Sequence, residues 1–340
     1  MQKYEKIEEI GSGTYGVVWR ALNKKTGEVV AVKKLYEKYT SMEECTNLIE
    51  VKALRQMNHP NIVKLKEIHK ENDFLYLVFE CMECSLYDRM KNMAAFSESE
   101  IRNLCFQLFQ GLAYMHGKGY FHRDLKPDNL LVSSDVIKIA DLGQARESNR
   151  KPPYTGYVTT RWYRAPEVFL RSSVHDPAVD MWAMGAIMAE LYTNQRLFKG
   201  NSGGEVFYKI CSVIGSPTES KWKLGLQLAV NMNYQFPDLP GVPLASLLPS
   251  ASSEALCLIA ALLSWNPCLR PTAMEALKHP FFHSCYHVPS PIHRNQDLPW
   301  KKALLTQTRS RKSAPIVSEK VNKQNLIRML QEKFIVKSGR

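Results

Sequence analysis

The sequence predicts an α+β fold of two lobes, a small β-rich lobe with one helix followed by a larger, mostly α-helical one. Three observations predict it. Apolar residues alternate through much of residues 4–80, the spacing of strands with one buried face. From about residue 97 the period becomes helical, placing Ile101, Leu104, Cys105, Leu108, Leu112 and Met115 on one face. With 340 residues, 45% of them hydrophobic, the chain is long enough to bury a sizeable core.

In order, the strand-like runs are YEKIEEIG, GVVWRALN, EVVAVKKLY, IVKLKEIHK and FLYLVFE, with the turn KTGE and a helical stretch near 42–57 between them. The long helix that begins near 97 should stop at Gly117 and Gly119. Two further helices are expected at PAVDMWAMGAIMAELYT and SEALCLIAALLSW, with an irregular segment, roughly 215–250, between them. After HPFFHSCYHVPSPI the composition turns polar and basic, so the folded domain should end near 287. NLIRMLQEKFIV in the tail has amphipathic spacing.

Charge, cysteine usage and hydropathy narrow the classes. The net charge is +12, but residues 288–340 carry 12 Lys or Arg against 3 Asp or Glu, which leaves only +3 for the rest. A tail-concentrated charge disfavours a dedicated nucleic-acid-binding domain. RSRKSAP reads as a solvated basic run, an import signal or a substrate for phosphorylation. No apolar run approaches the ~18 residues that span a bilayer, so a soluble, unsecreted chain is expected. The 8 cysteines sit in apolar or helical contexts and suit reduced thiols. Only Cys81 and Cys84 have metal or redox spacing, and a single C-x-x-C is weak grounds for either.

Four motifs carry chemistry. GSGTYG places Gly11, Gly13 and Gly16 at a spacing that lets backbone N–H groups approach phosphates. A dinucleotide-binding turn would run into a helix, whereas VVWRAL reads as another strand. The next strand supplies Lys33 on the same face as Ala31, and Glu50 in LIEVKAL is placed to pair with it. HRDLKPDNLL holds Asp124, Lys126 and Asn129 together, and KIADLGQAR delivers Asp141 17 positions after Asp124.

This ordered series resembles the eukaryotic protein kinases from residue 4 to about 282. It continues with APE at 165–167, DMW at 180–182 and LRP at 269–271. YVTTRWYRAPEV is similar to the group of cyclin-dependent and mitogen-activated kinases. PPYTGYVTTRWYRAPEVFLR and MAELYTNQRLF resemble the male germ cell-associated kinase branch, and YHVPSPI with YQFPDLPGVPLASLLPSAS its plant members.

The resemblance implies a bilobal kinase fold, with an N-lobe at 4–80, a hinge at 80–84, a C-lobe at 85–282 and a basic, flexible tail at 288–340. It implies ATP and Mg2+ as cofactors. ATP would lie against Ile10, Gly11, Ser12, Gly13, Thr14, Tyr15, Gly16, Val17 and Val18. Ala31 and Leu131 would enclose adenine with Val18, and the hinge backbone from Glu80 to Met82 would hydrogen-bond it. Lys33, held by Glu50, would face the α and β phosphates. Asp124 would take the substrate hydroxyl's proton, Lys126 would steady the γ-phosphate, and Asn129 and Asp141 would hold magnesium. Lys126 favours Ser/Thr over Tyr substrates, and Arg164 implies Ser-Pro or Thr-Pro sites.

In the same resemblance Thr155 and Tyr157 form a T-x-Y motif, Tyr157 autophosphorylated and Thr155 modified by an upstream kinase. Phosphate on Thr155 would gather Arg123 and Arg146. Glu167 should pair with Arg270, Asp180 should brace the catalytic loop, and Gly143 should let the backbone turn after Asp141. Two residues depart from the family. Ile49 stands where an arginine normally grips the phosphothreonine, and Leu142 where most kinases carry Phe in an apolar column with Leu54, Leu65 and His122. CTNLIEVKAL replaces PSTAIRE, so a cyclin partner is unsupported. Thr14 and Tyr15 occupy the inhibitory positions of cyclin-dependent kinases without establishing that control. A dead scaffold is disfavoured because Lys33, Glu50, Asp124, Asn129 and Asp141 are all present. The chain is expected to act as a monomer, in cytoplasm and nucleus, with no membrane or specific nucleic-acid partner.

Overall fold

Five alternating strands form one antiparallel sheet in the order β1-β2-β3-β5-β4. They are β1 (Tyr4–Gly13), β2 (Gly16–Asn23), β3 (Val29–Lys38), β4 (Leu65–Glu71) and β5 (Phe74–Glu80). The computed structural model describes residues 1–13, 15–93, 95–147, 161–172 and 176–286. The chain divides into Met1–His287 and Val288–Arg340. Thr14, Thr155, Tyr157 and the basic tail lie outside the described residues.

Alternation along β3 splits its side chains between two environments. Val30 and Val32 bury with Ala21 and Val78 in a small core of their own. Ala31 and Lys33 point to the opposite face. The single helix expected near 42–57 is two, α1 (Met42–Asn47) and α2 (Ile49–Gln56). Leu48 breaks them apart with φ −56° and ψ 137°, after Thr46 and Asn47, which are poor helix formers. The fourth strand begins at Leu65, three residues later than the sequence run suggested.

The second lobe begins with β6 (Cys84–Ser85), α3 (Leu86–Asn92) and α4 (Glu98–Gly117). Ser97 and Glu100 close a reciprocal cap at the start of α4, and all six expected apolar positions on this helix are buried. Short strands follow: β7 (Tyr120–Phe121), β8 (Leu130–Ser133), β9 (Val136–Ile139) and β10 (Arg146–Glu147). The remaining helices are α5 (Pro166–Phe169), α6 (Ala178–Thr193), α7 (Gly203–Ile214), α8 (Glu219–Asn231), α9 (Leu244–Leu247), α10 (Ser253–Leu262) and α11 (Ala273–Leu277).

α6 is the axis of this lobe, buried at every position from Val179 to Leu191, as a helix apolar all round must be. Its Trp182 stacks on Phe198 at 5.5 Å. Beside it lies a bidentate ion pair, Arg270 to Glu167 at 2.6 and 2.8 Å. The remaining Arg270 donors reach the carbonyls of Ser264, Ala178 and Trp265, so the buried guanidinium is satisfied.

The 215–250 segment is not irregular throughout, because α8 occupies its first part. Gly225 disguises that helix. A Cβ there would lie 2.0 Å from the Trp222 ring, so this glycine serves packing, and Trp222 itself kinks the helix with φ −161° and ψ 69°. Among the described residues no helix is long and apolar enough to cross a membrane.

Candidate active site

The hairpin between β1 and β2 aligns Gly11 with Val18, Ser12 with Val17 and Gly13 with Gly16. Its three glycines differ in what they face. Cβ atoms on Gly11 or Gly13 would meet nothing within 4 Å, whereas one on Gly16 would lie 2.2 Å from the Lys34 carbonyl oxygen. Gly16 therefore lets β2 approach β3, and only Gly11 and Gly13 leave backbone open to a ligand. Ile10 at the entrance is 43% exposed. The Tyr15 hydroxyl accepts from Gln144 Nε2 at 3.1 Å.

Directly paired residues share a face of the sheet, so register places Val18 beside Lys33 and Ala31 beside Phe79. Phe79 also pairs with Leu65 and closes the rear of this face. It was missed in the sequence, although its parity in FLYLVFE marks it. Leu131, on β8, contributes from the other lobe, aligned with Lys138. The Lys138 ammonium binds both Glu80 carboxylate oxygens at 2.8 and 2.9 Å. That draws the Glu80 side chain away and leaves the backbone that follows it available. Among the described residues nothing accepts from the Met82 N–H, while the Met82 carbonyl accepts from the Cys81 thiol at 3.6 Å.

At the centre, Lys33 Nζ stands 2.8 Å from Glu50 Oε1 and 2.8 Å from Asp141 Oδ1. Three separate elements meet here: β3, the first turn of α2, and the residue following β9. Burial opposes the ammonium, but the Glu50 and Asp141 carboxylates outweigh it and hold Lys33 above the usual lysine value. Asp141 is likewise held below the usual carboxylate range; its surroundings resist the charge and the ammonium of Lys33 overrides them.

Asp141 itself adopts the left-handed region, φ 59° and ψ 69°. The turn after the strand is thus made by Asp141 and not by Gly143, whose φ is not positive. A Cβ on Gly143 would sit 3.5 Å from Glu50 Oε2, so the glycine lies against that carboxylate. Leu142 is fully buried in the main core with Leu54, and Leu65 packs against it.

The loop between β7 and β8 gathers the other polar residues. Lys126 Nζ lies 2.8 Å from Asp124 Oδ2. Asn129 Nδ2 donates to the Asp124 carbonyl at 2.8 Å and to Oδ2 at 3.2 Å. Asp124 Oδ1 and Asn129 Oδ1 have no hydrogen-bond donor among the described residues. Ala140 N–H donates to the Asn129 carbonyl at 2.9 Å, which brings Asn129 and Asp141 to one end of the β8–β9 hairpin.

The loop is held from below. Asp180, at the start of α6, accepts the N–H groups of His122 and Arg123 and bonds His116 Nε2. His122 accepts the Asp124 N–H on Nδ1, so its Nε2 donates to the Ala140 carbonyl at 2.9 Å. Arg123 Nη1 reaches the Gln144 carbonyl at 3.5 Å.

Magnesium fits this donor set. Asn129 turns its amide nitrogen to Asp124, freeing Oδ1, and Asp141 gives one oxygen to Lys33, leaving Oδ2. No group of three or more His, Cys, Asp or Glu suited to a metal occurs among the described residues. Two protein oxygens, the balance coming from phosphate and water, is how Mg2+ is commonly bound. Arg164 lies over the Phe169 ring at 5.6 Å, and Ile49, half-buried, opens α2.

Residues 4–282 match the protein kinase domain family. The chain is 61% identical over 293 residues to cyclin-dependent kinase F-4 of Oryza sativa subsp. japonica, covering 86% of this chain and 64% of that relative. It is 48% identical over 322 residues to serine/threonine-protein kinase MAK of Mus musculus, covering 94% and 51%. Against MAK of Homo sapiens the identity is 50% over 284 residues, covering 83% and 46%. The chain thus spans about half to two thirds of the length of these relatives.

Proposed function

Because this chain belongs to the protein kinase family, we propose that it transfers the γ-phosphate of ATP to serine and threonine hydroxyls of proteins. The observation that carries this reading is Lys33 held at 2.8 Å from both Glu50 and Asp141. That arrangement fixes an ammonium where the α and β phosphates would lie.

Each polar residue then has a task. Asp124 Oδ1 receives the proton of the attacking hydroxyl, while Lys126 and Asn129 hold Oδ2 and so orient the carboxylate. The hydroxyl oxygen bonds to the γ-phosphorus, the bond from that phosphorus to the bridging oxygen breaks, and ADP departs. Lys126 offers positive charge to the transferring group. Asn129 Oδ1 and Asp141 Oδ2 would hold Mg2+, which when bound neutralises developing phosphate charge. Gly11 and Gly13 present backbone to the phosphates, Val18, Ala31 and Leu131 enclose adenine, Phe79 closes the rear of that space, and the Met82 N–H offers it a hydrogen bond.

The finer reading rests on the sequence. Arg164 supports Ser-Pro and Thr-Pro sites. Thr155 and Tyr157 support control by phosphorylation and an upstream kinase, with Ile49 weakening the link from Thr155 to α2. Action as a monomer in cytoplasm and nucleus belongs to the same reading. The rice relative's name includes cyclin, but this chain's α1–α2 sequence lacks PSTAIRE, and no cyclin enters the proposal. The test is transfer of labelled phosphate from ATP to a peptide library by the intact protein and by Asp124→Asn. Transfer by the intact protein alone, concentrated on Ser-Pro and Thr-Pro peptides, is expected. No transfer by either, even with Thr155 phosphorylated, would overturn it.

A further inference from the structure

Only 8 residues make up α2, and no side chain caps its first turn. Isolated helices shorter than about 12–15 residues are marginal in water, so contacts with the rest of the domain must set where Glu50 stands. Val51, Ala53 and Leu54 supply buried apolar ones. Ile49 brings no cation to that turn. Further polar ties lie at the far end of the helix.

There two tyrosines of the second lobe hold the chain. Tyr114, on α4, donates its hydroxyl to the Gln56 carbonyl at 3.4 Å and accepts the Asn58 N–H at 3.3 Å, while its ring stacks on His59 at 5.1 Å. Tyr120, on β7, is 3% exposed. Its hydroxyl accepts from Gln56 Nε2 at 3.1 Å and donates to Glu147 Oε1 at 3.0 Å. The direction of this relay is forced, because an amide N–H can only donate and a carboxylate can only accept. Burial and the Glu147 carboxylate raise Tyr120 above the ordinary phenol value, which keeps the donated proton in place.

The relay joins three parts of the site. Glu147 lies on β10, whose backbone pairs it with Tyr120 itself, and β10 follows the turn that begins at Asp141. β7 runs directly into His122 and Asp124. Tyr114, by contrast, ties α2 only to α4. Within so short a helix Glu50 and Gln56, about 9 Å apart along its axis, move together. A shift of α2 that carried Glu50 off Lys33 would carry Gln56 off Tyr120.

We propose that the Tyr120 hydroxyl is a positioning group: through Gln56 it holds α2, and with it Glu50, against Lys33, without phosphate on Thr155 and without an arginine at position 49. Its part in phosphate transfer rests on the catalytic reading above. A contact that merely stabilises the fold predicts a lower Tm on removal and no particular effect on α2.

The test uses the full chain with Thr155 unphosphorylated. Tyr120→Phe keeps the buried ring and removes the hydroxyl, Gln56→Ala and Glu147→Ala remove its exposed partners, and Glu147→Gln keeps a carbonyl acceptor. Amide hydrogen exchange along residues 51–56 should quicken about 3- to 10-fold in the first three variants, the effect of one or two hydrogen bonds, and match the parent in Glu147→Gln. Tm should stay within about 2 °C of the parent. The kcat for peptide phosphorylation should fall by a similar factor, and Tyr120→Phe should cost nothing further in a Glu50→Gln background. Unchanged exchange in Tyr120→Phe, with or without a lower Tm, would overturn the proposal, as would a loss of kcat that multiplies in full with that of Glu50→Gln. Quickened exchange in variants of a parent that transfers no phosphate would uphold the tie and overturn the catalytic reading instead.

Discussion

Asp180 accepts the backbone N–H of Arg123 at 2.8 Å, and Arg123 holds φ at 72°. A non-glycine residue in that region costs on the order of 1–3 kcal/mol, so the carboxylate fixes a conformation the loop would otherwise leave. The second Asp180 oxygen takes the His122 N–H at 2.7 Å and His116 Nε2 at 2.9 Å. Asp180→Asn has only one acceptor for donors on both sides. It should destabilise the domain by about 1–3 kcal/mol, read as a lower urea midpoint, and reduce phosphate transfer without touching substrate.

The same carboxyl gives a pH signature. Complete burial would raise it, but His116, His122 and the Arg123 N–H overcome this and hold Asp180 below the usual aspartate value. A folded value below the unfolded one gives stability that is present above about pH 4 and is lost as pH falls through the folded value. The stability difference between the parent and Asp180→Asn should hold above about pH 4 and narrow below it. Urea denaturation across this range tests it, and a difference that grew on acidification would contradict the assignment.

The Glu167–Arg270 pair is buried on both sides. Arg270→Ala leaves a carboxylate without its counter-charge, and the expected loss is about 3–5 kcal/mol. Differential scanning should show Tm lower by roughly 10 °C. Replacing both partners, Glu167→Leu with Arg270→Met, should cost less than Arg270→Ala alone.

For the glycine hairpin, Gly16→Ala forces a Cβ against the Lys34 carbonyl and should cost about 1–3 kcal/mol in stability. Gly11→Ala and Gly13→Ala enter open space and should shift Tm by no more than about 1 °C, a few tenths of a kcal/mol. Their effect belongs in nucleotide binding, as a higher KM for ATP. Parallel thermal and kinetic measurements on the three variants separate the two roles.

Lys33→Met removes the ammonium between two carboxylates. Phosphate transfer should fall about 100- to 1,000-fold. Asp141, losing the charge that lowers it, should titrate higher than in the parent, which NMR of the labelled carboxyl would show.

The strands and long helices were legible because their periods are set by which face is buried, and α4 followed its apolar stripe residue for residue. Glu50, Lys33 and Asp141 were legible through motif order. α8 was not, since Gly225 looks like a breaker until Trp222 is placed against it. The break at Leu48 follows Thr46 and Asn47, whose low helix propensity is too weak a signal to place a break by itself. Gly143 was assigned the turn that Asp141 makes, because sequence favours glycine for positive φ and a site that tolerates strain reverses that preference. Tyr15 and Gln144 are separated by 129 positions, and their contact has no local signal.

The Lys33–Asp141 contact closes a span of 108 residues. Such contacts form late in folding, after the loop they close has lost its freedom. A chain emerging from the ribosome would have its glycine hairpin, its lysine and its helix glutamate well before Asp141 is made. Binding energy from nucleotide that depends on this contact accrues only to molecules that have completed both lobes, so ligand stabilisation selects finished domains over partial ones.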